Sequence, residues 1–237
     1  MEKLKQDILI FFKDLTFDEE SHTYKVGSKS INYSVSELIK KLTIPFDAQA
    51  ISAAMSKTTG MSQDEILQSW ETKSKLACKK GNEAHLFGEL YPFNRHIKPR
   101  TQQEQAIVKF WNDIPEHIIP VIMELQMYHK KYMFAGTSDI LLYNTKTNNY
   151  ILGDYKSNAD LFKNYKCKKL LYPFNFLLDN PFNKYQIQLS LYQILLEQLN
   201  LKVEKRKIVW LRDDGNYLLY DTQDYTKELI NILPELC

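Results

Sequence analysis

Apolar residues along this chain recur with two periods, and the alternation between them predicts the elements. Residues 3 to 14 carry Leu4, Ile8, Leu9, Phe11 and Phe12 at helical spacing, a short amphipathic helix. A small hairpin is expected next, with one strand over His22–Val26, a turn at Gly27-Ser28 and a second strand from Ile31 to Val35. Ser34 or Ser36 is placed to cap the following helix, with Glu37 near its start. Ala48 to Lys79 reads as helix broken around Thr59-Gly60, with Ile51, Met55, Ile66, Leu67, Trp70 and Leu76 expected on inner faces.

The second half switches to strand-like patterns. A helix over residues 102 to 111 ends in Phe110-Trp111, and Ile118 to Gln126 reads as a strand. Two apolar segments, Ile140-Leu141-Leu142-Tyr143 and Tyr150-Ile151-Leu152, flank the polar run Asn144 to Asn149, whose Asn and Thr residues favour a turn. That is a β-hairpin, and the rest of the chain is organised around it. Tyr185 to Leu196 is a strong helix whose buried face carries Ile187, Leu191, Ile194 and Leu195. Strands at Lys207–Arg212 and Tyr217–Asp221 are joined by the turn Asp213-Asp214-Gly215-Asn216, and Tyr225 to Leu233 is a terminal helix.

The 237 residues suffice for one substantial core. No repeat, low-complexity segment or flexible linker divides them, so a single domain is expected. Its parts are an N-terminal helical and hairpin region over residues 1–80, a core over 81–221 and a C-terminal helix over 222–237. A formal net charge of +2 excludes recognition by bulk charge, so any basic surface must be local. Cys78, Cys167 and Cys237 lie far apart without a CxxC pair, which argues against a zinc or iron–sulfur site and for a reducing compartment. No apolar run reaches membrane-spanning length, and the N-terminus has no secretory signal, so the expected location is the cytoplasm, with no membrane partner.

The chemistry concentrates at one end of the central hairpin. Asp139 opens its first strand, and Asp154 and Lys156 close its second, so antiparallel pairing brings them together. Alternation puts Asp154 and Lys156 on one face. Two adjacent carboxylates repel unless a cation lies between them, and Mg²⁺ favours oxygen ligands. The blander reading is a solvated Asp–Lys rim worth under about 1 kcal/mol.

Other residues bear on the same question. In Gly81-Asn82-Glu83-Ala84-His85, Gly81 lies one helical turn from His85 and lets another backbone approach beside the imidazole. His85 is a candidate ligand or a packed histidine, while His96, His117 and His129 have no comparable setting. Glu124 sits in an apolar strand, where it either meets a cation or faces solvent from an edge. Gln188 and Tyr192, four apart, can reach one site. After Lys156, the lysines Lys163, Lys166, Lys168 and Lys169 interleave with Phe162, Tyr165, Tyr172, Phe174 and Phe176. Such a segment either binds phosphates and stacks on bases, or is a helix with a solvated lysine face over core aromatics.

In order, the chain presents Gly81–His85, Met123-Glu124, Ala135-Gly136-Thr137-Ser138-Asp139, Gly153-Asp154-Tyr155-Lys156-Ser157 and Tyr185–Tyr192. This series resembles the PD-(D/E)XK nuclease superfamily, and within it the RecB-type exonucleases of phages and of mitochondrial genome maintenance. The resemblance covers roughly residues 20 to 221, the early hairpin and the Trp70 region included. It implies a restriction-endonuclease-like α/β fold, a mixed central sheet flanked by helices. It implies that His85, Asp139, Asp154 and the Tyr155 main-chain carbonyl bind Mg²⁺ or Mn²⁺, with Glu124 in support, and that Lys156 acts on the attacking water and the phosphate. Gln188 and Tyr192 match the helix that lines such sites. Lys163, Lys166, Lys168, Lys169, Tyr165 and Tyr172 are expected to contact DNA, as a single strand or a duplex end. The implied activity is a DNA exonuclease in replication, recombination or repair, alongside a recombinase or single-strand-binding partner. No iron–sulfur cluster is implied. A structure-selective endonuclease, or a silent nucleic-acid-binding module, is the alternative.

Overall fold

The computed structural model describes residues 2–18, 21 and 23–237. Helix α1 (Glu2–Phe11) leads into a three-stranded antiparallel sheet of β1 (Leu15–Asp18), β2 (Thr23–Val26) and β3 (Lys29–Ser30). The early hairpin thus pairs β2 with Lys29-Ser30, not with Ile31 to Val35 as the sequence predicts. The expected start at His22 lies outside the described residues. Tyr33–Ser34 instead forms β4, parallel to a strand of the main sheet, and Val35 already opens α2 (Val35–Lys41). Ser34, and not Ser36, caps α2, in a reciprocal box with Glu37.

Asp47 caps α3 (Ala48–Thr59), Gly60 ends it in the left-handed conformation, and Ser62 with Glu65 caps α4 (Gln63–Leu90). The break at Thr59-Gly60 lies where the sequence places it. Of the residues expected on inner faces, Ile66 is buried, whereas Leu76 is 64% exposed and Met55 37%. Residues 71–80 are exposed all round, because this stretch of α4 overhangs the body and packs on no core.

Then come α5 (Gln102–Asp113), β5 (Ile118–Tyr128), β6 (Phe134–Asn144), β7 (Asn149–Lys156), α6 (Pro181–Glu197), β8 (Val203–Leu211), β9 (Tyr217–Asp221) and α7 (Thr226–Leu236). The main sheet runs β5-β6-β7-β8-β9, antiparallel except that β7 and β8 are parallel, with α6 as their crossover. Ala135 pairs with Tyr128 of β5 and with Ser34 of β4, so β4 lies on the β7 side of β6.

Strand alternation splits the core into two layers. Leu141 and Leu152 face the layer formed with α1, α2, α6 and α7, and Ile140, Leu142 and Ile151 face α4 and α5. A fully buried leucine such as Leu141 contributes roughly 1.5–3 kcal/mol by leaving water. The architecture is mixed α/β, a mixed sheet with helices on both faces. Among the described residues, no helix is long and apolar enough to cross a membrane.

Candidate metal centre

The site forms where β6 and β7 part. Ile140 and Gly153 are the last residues to pair, so Asp139 on one strand and Asp154, Tyr155 and Lys156 on the other flank an open fork. Beyond it β7 stays paired with β8, Tyr155 opposite Val209 and Lys156 opposite Trp210. Inside the fork, Asp139 Oδ2 accepts the Tyr155 backbone N–H at 2.7 Å. A carboxylate oxygen thereby stands where a ladder carbonyl would have stood, and a buried N–H is satisfied.

Two other elements bring their groups to this point. Helix α4 lies close against β7 because Gly88 has no side chain: a Cβ there would sit 2.5 Å from the Tyr155 ring. The close approach beside the imidazole is therefore at Gly88, while Gly81, the residue singled out from sequence, meets only Ser157 at an ordinary 3.7 Å. The Tyr155 ring is buried, edge-on to His85, and its hydroxyl accepts the Trp111 Nε1–H at 2.7 Å. Strand β5 supplies Glu124, whose φ of 51° is left-handed and strained for a residue with a side chain. Glu124 faces this cluster, not open solvent alone.

His85 Nδ1 lies 3.3 Å from Asp139 Oδ2 and 3.6 Å from Glu124 Oε1. One ligand atom from each of His85, Glu124 and Asp139 falls within 4.8 Å of the others, and the cluster could hold a metal ion. Asp154 is not among these three. Its Oδ2 pairs with Lys156 Nζ, the same-face pair that strand alternation predicts. The physical reason is charge partition. Two buried carboxylates repel, and each takes the nearest cation, Asp139 the imidazole and Asp154 the ammonium.

The electrostatics follow the same division. Burial works against an imidazolium at His85, but Asp139 and Glu124 outweigh it and push its pKa up to about 10. Burial would raise Asp139, yet His85, Lys156 and the Tyr155 N–H pull it below the usual carboxylate range. Asp154 goes the other way, pushed up to about 7 by burial and then by the Asp139 charge, against the pull of Lys156. Lys156 is partly buried, which works against its charge, but Asp154 and Asp139 hold its ammonium charged. Its Nζ also lies 4.4 Å from the centre of the Tyr185 ring, a cation–π contact.

Helix α6 closes the site from the other face of the sheet. Its predicted apolar face, Ile187, Leu191, Ile194 and Leu195, is buried. Gln188 Nε2 donates to the Tyr192 hydroxyl at 2.9 Å, so the two residues expected to share a site are bonded to each other. Gln188 Oε1 is buried with no hydrogen-bond partner, and Asp154 Oδ2 accepts no directed hydrogen bond beyond its ion pair. A buried amide oxygen left this way is open to a water or an ion. Burial, with the nearby Asp154 and Asp139 charges, holds the Tyr192 phenol well above its ordinary pKa, so it stays protonated.

A divalent hard cation fits this donor set. The gathered atoms are carboxylate oxygens and one imidazole nitrogen, with further buried oxygens on Asp154 and Gln188, and none is a thiolate.

The segment after Lys156 is irregular, not helical, up to the Asn180 cap of α6. Leu161, Leu170 and Phe174 pin it to the core, and Phe174 belongs there rather than to any exposed ladder of rings. Lys163, Tyr165 and Lys168 line a cleft with the loop between α2 and α3. Lys166, Lys169 and Tyr172, the last 76% exposed, are not part of it.

Sequence reasoning missed Tyr185 against Lys156, Trp111 and Gly88 around Tyr155, and Tyr24, whose hydroxyl meets Thr137 Oγ1 at 2.9 Å. Tyr185 stood inside a quoted motif and carried the only usable signal. No protein-family model and no curated protein matches the chain.

Proposed function

We propose that the chain is a divalent-metal-dependent nuclease that hydrolyses DNA phosphodiester bonds, acting from ends as an exonuclease. The observation that carries this reading is the fork itself: two carboxylates on diverging strands, a histidine and a third carboxylate against one of them, and a lysine against the other. On this reading the sheet and its flanking helices are of the restriction-endonuclease-like kind.

Mg²⁺ or Mn²⁺ held by Asp139, Asp154 and His85, with Glu124 and the Tyr155 main-chain carbonyl in support, would supply Lewis acidity to the phosphate and an acidified water. The chain's own groups do the rest. Lys156, kept protonated by Asp154 and Asp139, presents its ammonium to the phosphate oxygens as charge builds there. The Tyr185 ring and the Asp154 carboxylate, both against the ammonium, fix where it points. Asp139 locks the fork through the Tyr155 N–H, which keeps the ligands from drifting with the strands. Gln188, with a free carbonyl oxygen, is placed to accept a hydrogen bond from water in the site.

The test is digestion of 5′- and 3′-labelled linear DNA with Mg²⁺ or Mn²⁺, beside a closed circular control and Lys156→Ala. Shortened linear strands, lost in the variant and absent with circles, support the exonuclease. Cut circles would move the assignment to an endonuclease. Binding without any cleavage would leave only a nucleic-acid-binding module.

A further inference from the structure

The cleft beside the candidate centre is built from four parts of the chain. The loop between α2 and α3 contributes Phe46, the last turn of α2 contributes Lys40, the irregular segment contributes Lys163, Tyr165 and Lys168, and the first turn of α6 contributes Lys184. It encloses about 700 Å³. Its frame is ordered by bonds between these parts and within the irregular segment. Leu171 N–H donates to Leu42 O at 2.8 Å, Phe182 N–H to Leu161 O at 2.8 Å, and Asn164 Nδ2 to the carbonyls of Lys168 and Asp179 at 2.9 and 2.8 Å.

Charge in the cleft is one-sided. Lys184 is matched by Asp179 at 2.7 Å, but among the described residues Lys40, Lys163 and Lys168 have no carboxylate within ion-pair distance. The same cleft carries two large, mostly exposed rings, Phe46 at 64% exposure with Trp70 on one side (ring centres 5.6 Å apart) and Tyr165 at 57% with the Lys166 Nζ 5.3 Å from its centre. A protein whose net charge is only +2 has no general reason to gather cations here. Ammonium groups suit phosphates, and exposed rings suit bases whose faces are open. In a duplex those faces are already stacked, and the rings would have nothing to cover. Lys184 of the cleft is followed directly by Tyr185, whose ring lies on Lys156, so the cleft and the candidate centre draw on the same start of α6.

We infer that this cleft binds a single strand of nucleic acid, phosphates on Lys40, Lys163 and Lys168 and bases on Phe46 and Tyr165, and leads it toward Lys156. The inference rests on the nuclease reading for its purpose, and binding and cleavage are measured apart. The experiment is fluorescence anisotropy of a labelled oligo-dT and of a labelled blunt hairpin duplex, in chelator, across a salt series. Wild type should bind oligo-dT at least about tenfold more tightly than the duplex. Replacing Lys40, Lys163 and Lys168 together by Ala should reduce the slope of log affinity against log salt by about 2, at roughly 0.7 for each phosphate contact. Phe46→Ala with Tyr165→Ala should weaken oligo-dT binding about tenfold or more and leave that slope unchanged. Equal binding of duplex, or variants that bind oligo-dT as wild type does, would overturn the cleft even if Mg²⁺-dependent cleavage is present. Displacement of oligo-dT by polyglutamate of equal charge would also overturn it, in favour of an acidic protein. Binding with all the expected losses but no cleavage of any DNA would leave the cleft standing and remove the nuclease reading.

Discussion

Asp139 and Tyr155 are joined by a hydrogen bond from backbone N–H to carboxylate, 2.7 Å long, across strands that have stopped pairing. One oxygen therefore serves the fold and the site together: Oδ2 accepts the Tyr155 N–H and also faces His85. Asparagine keeps a carbonyl oxygen for the N–H but loses the charge. Asp139→Asn should stay within about 1 kcal/mol of wild type without metal. It should lose the rise in melting temperature that Mn²⁺ gives the wild type. Asp139→Ala should fall by a further 1–3 kcal/mol or so, because the buried N–H is orphaned. Thermal melts of the three proteins with and without Mn²⁺ check this. A wild-type melting temperature indifferent to Mn²⁺ would remove the metal centre altogether.

Gly88 lets α4 reach the sheet, and its replacement tests whether that closeness sets the site. A Cβ would press on a Tyr155 ring held by Trp111, and neither can yield easily inside the core. Gly88→Ala should destabilise by about 1–3 kcal/mol through overpacking. It should also shift His85 and weaken Mn²⁺ binding, whereas Gly81→Ala, with only Ser157 at 3.7 Å, should do neither. Denaturant titrations and Mn²⁺ binding followed by calorimetry separate the two.

The central hairpin was legible because two apolar runs flank a polar turn, a purely local signal, and the face shared by Asp154 and Lys156 follows from alternation. The helix break at Gly60 and the α6 face were legible for the same reason. Non-local choices were not. Tyr33-Ser34 reads as part of a hairpin, but pairs in parallel with Phe134-Ala135, about a hundred residues on. Leu76 has helical spacing and still faces water, since periodicity marks a face and not what covers it. At the centre, the sequence resemblance implies His85, Asp139, Asp154 and the Tyr155 carbonyl, with Glu124 in support. The structure brings Glu124 to His85 and Asp139 through a left-handed backbone no pattern announces, and turns Asp154 to Lys156. The Gly81–His85 pair pointed at the right helix turn but the wrong glycine, because only the packed distance reveals which Cβ would clash.

Tyr192 and Gln188 form a unit whose free end is the Gln188 carbonyl oxygen. Tyr192→Phe removes the acceptor of the Gln188 amide and leaves both ends of that side chain without a partner. It should cost about 1 kcal/mol of stability. On the proposed function it should lower kcat for DNA cleavage by about tenfold, with the Mn²⁺-induced rise in melting temperature kept. Loss of that rise would instead place the Tyr192 hydroxyl among the groups that shape the metal site.

Away from the site, Arg206 is a buried cation whose only carboxylate within ion-pair distance among the described residues is Asp224, at 3.3 Å, with Gln193 also bonded to its guanidinium. Burial alone would raise the Asp224 carboxyl. The Thr226 N–H and hydroxyl, and Arg206, outweigh burial and hold it below its ordinary value. Asp224 is half open to solvent, so the pair is screened, and Asp224→Ala should cost about 1–2 kcal/mol at neutral pH. The sign with pH follows from the lowered folded-state value. The contribution is present above the unfolded carboxylate range near 4 and is lost as pH falls through the lower folded value. The gap in stability between wild type and Asp224→Ala should therefore be full at pH 7 and narrow steadily below about pH 4. Urea titrations of both proteins between pH 3 and pH 7 measure it, and a gap that stays constant to pH 3 would mean that Arg206 is held by Gln193 alone.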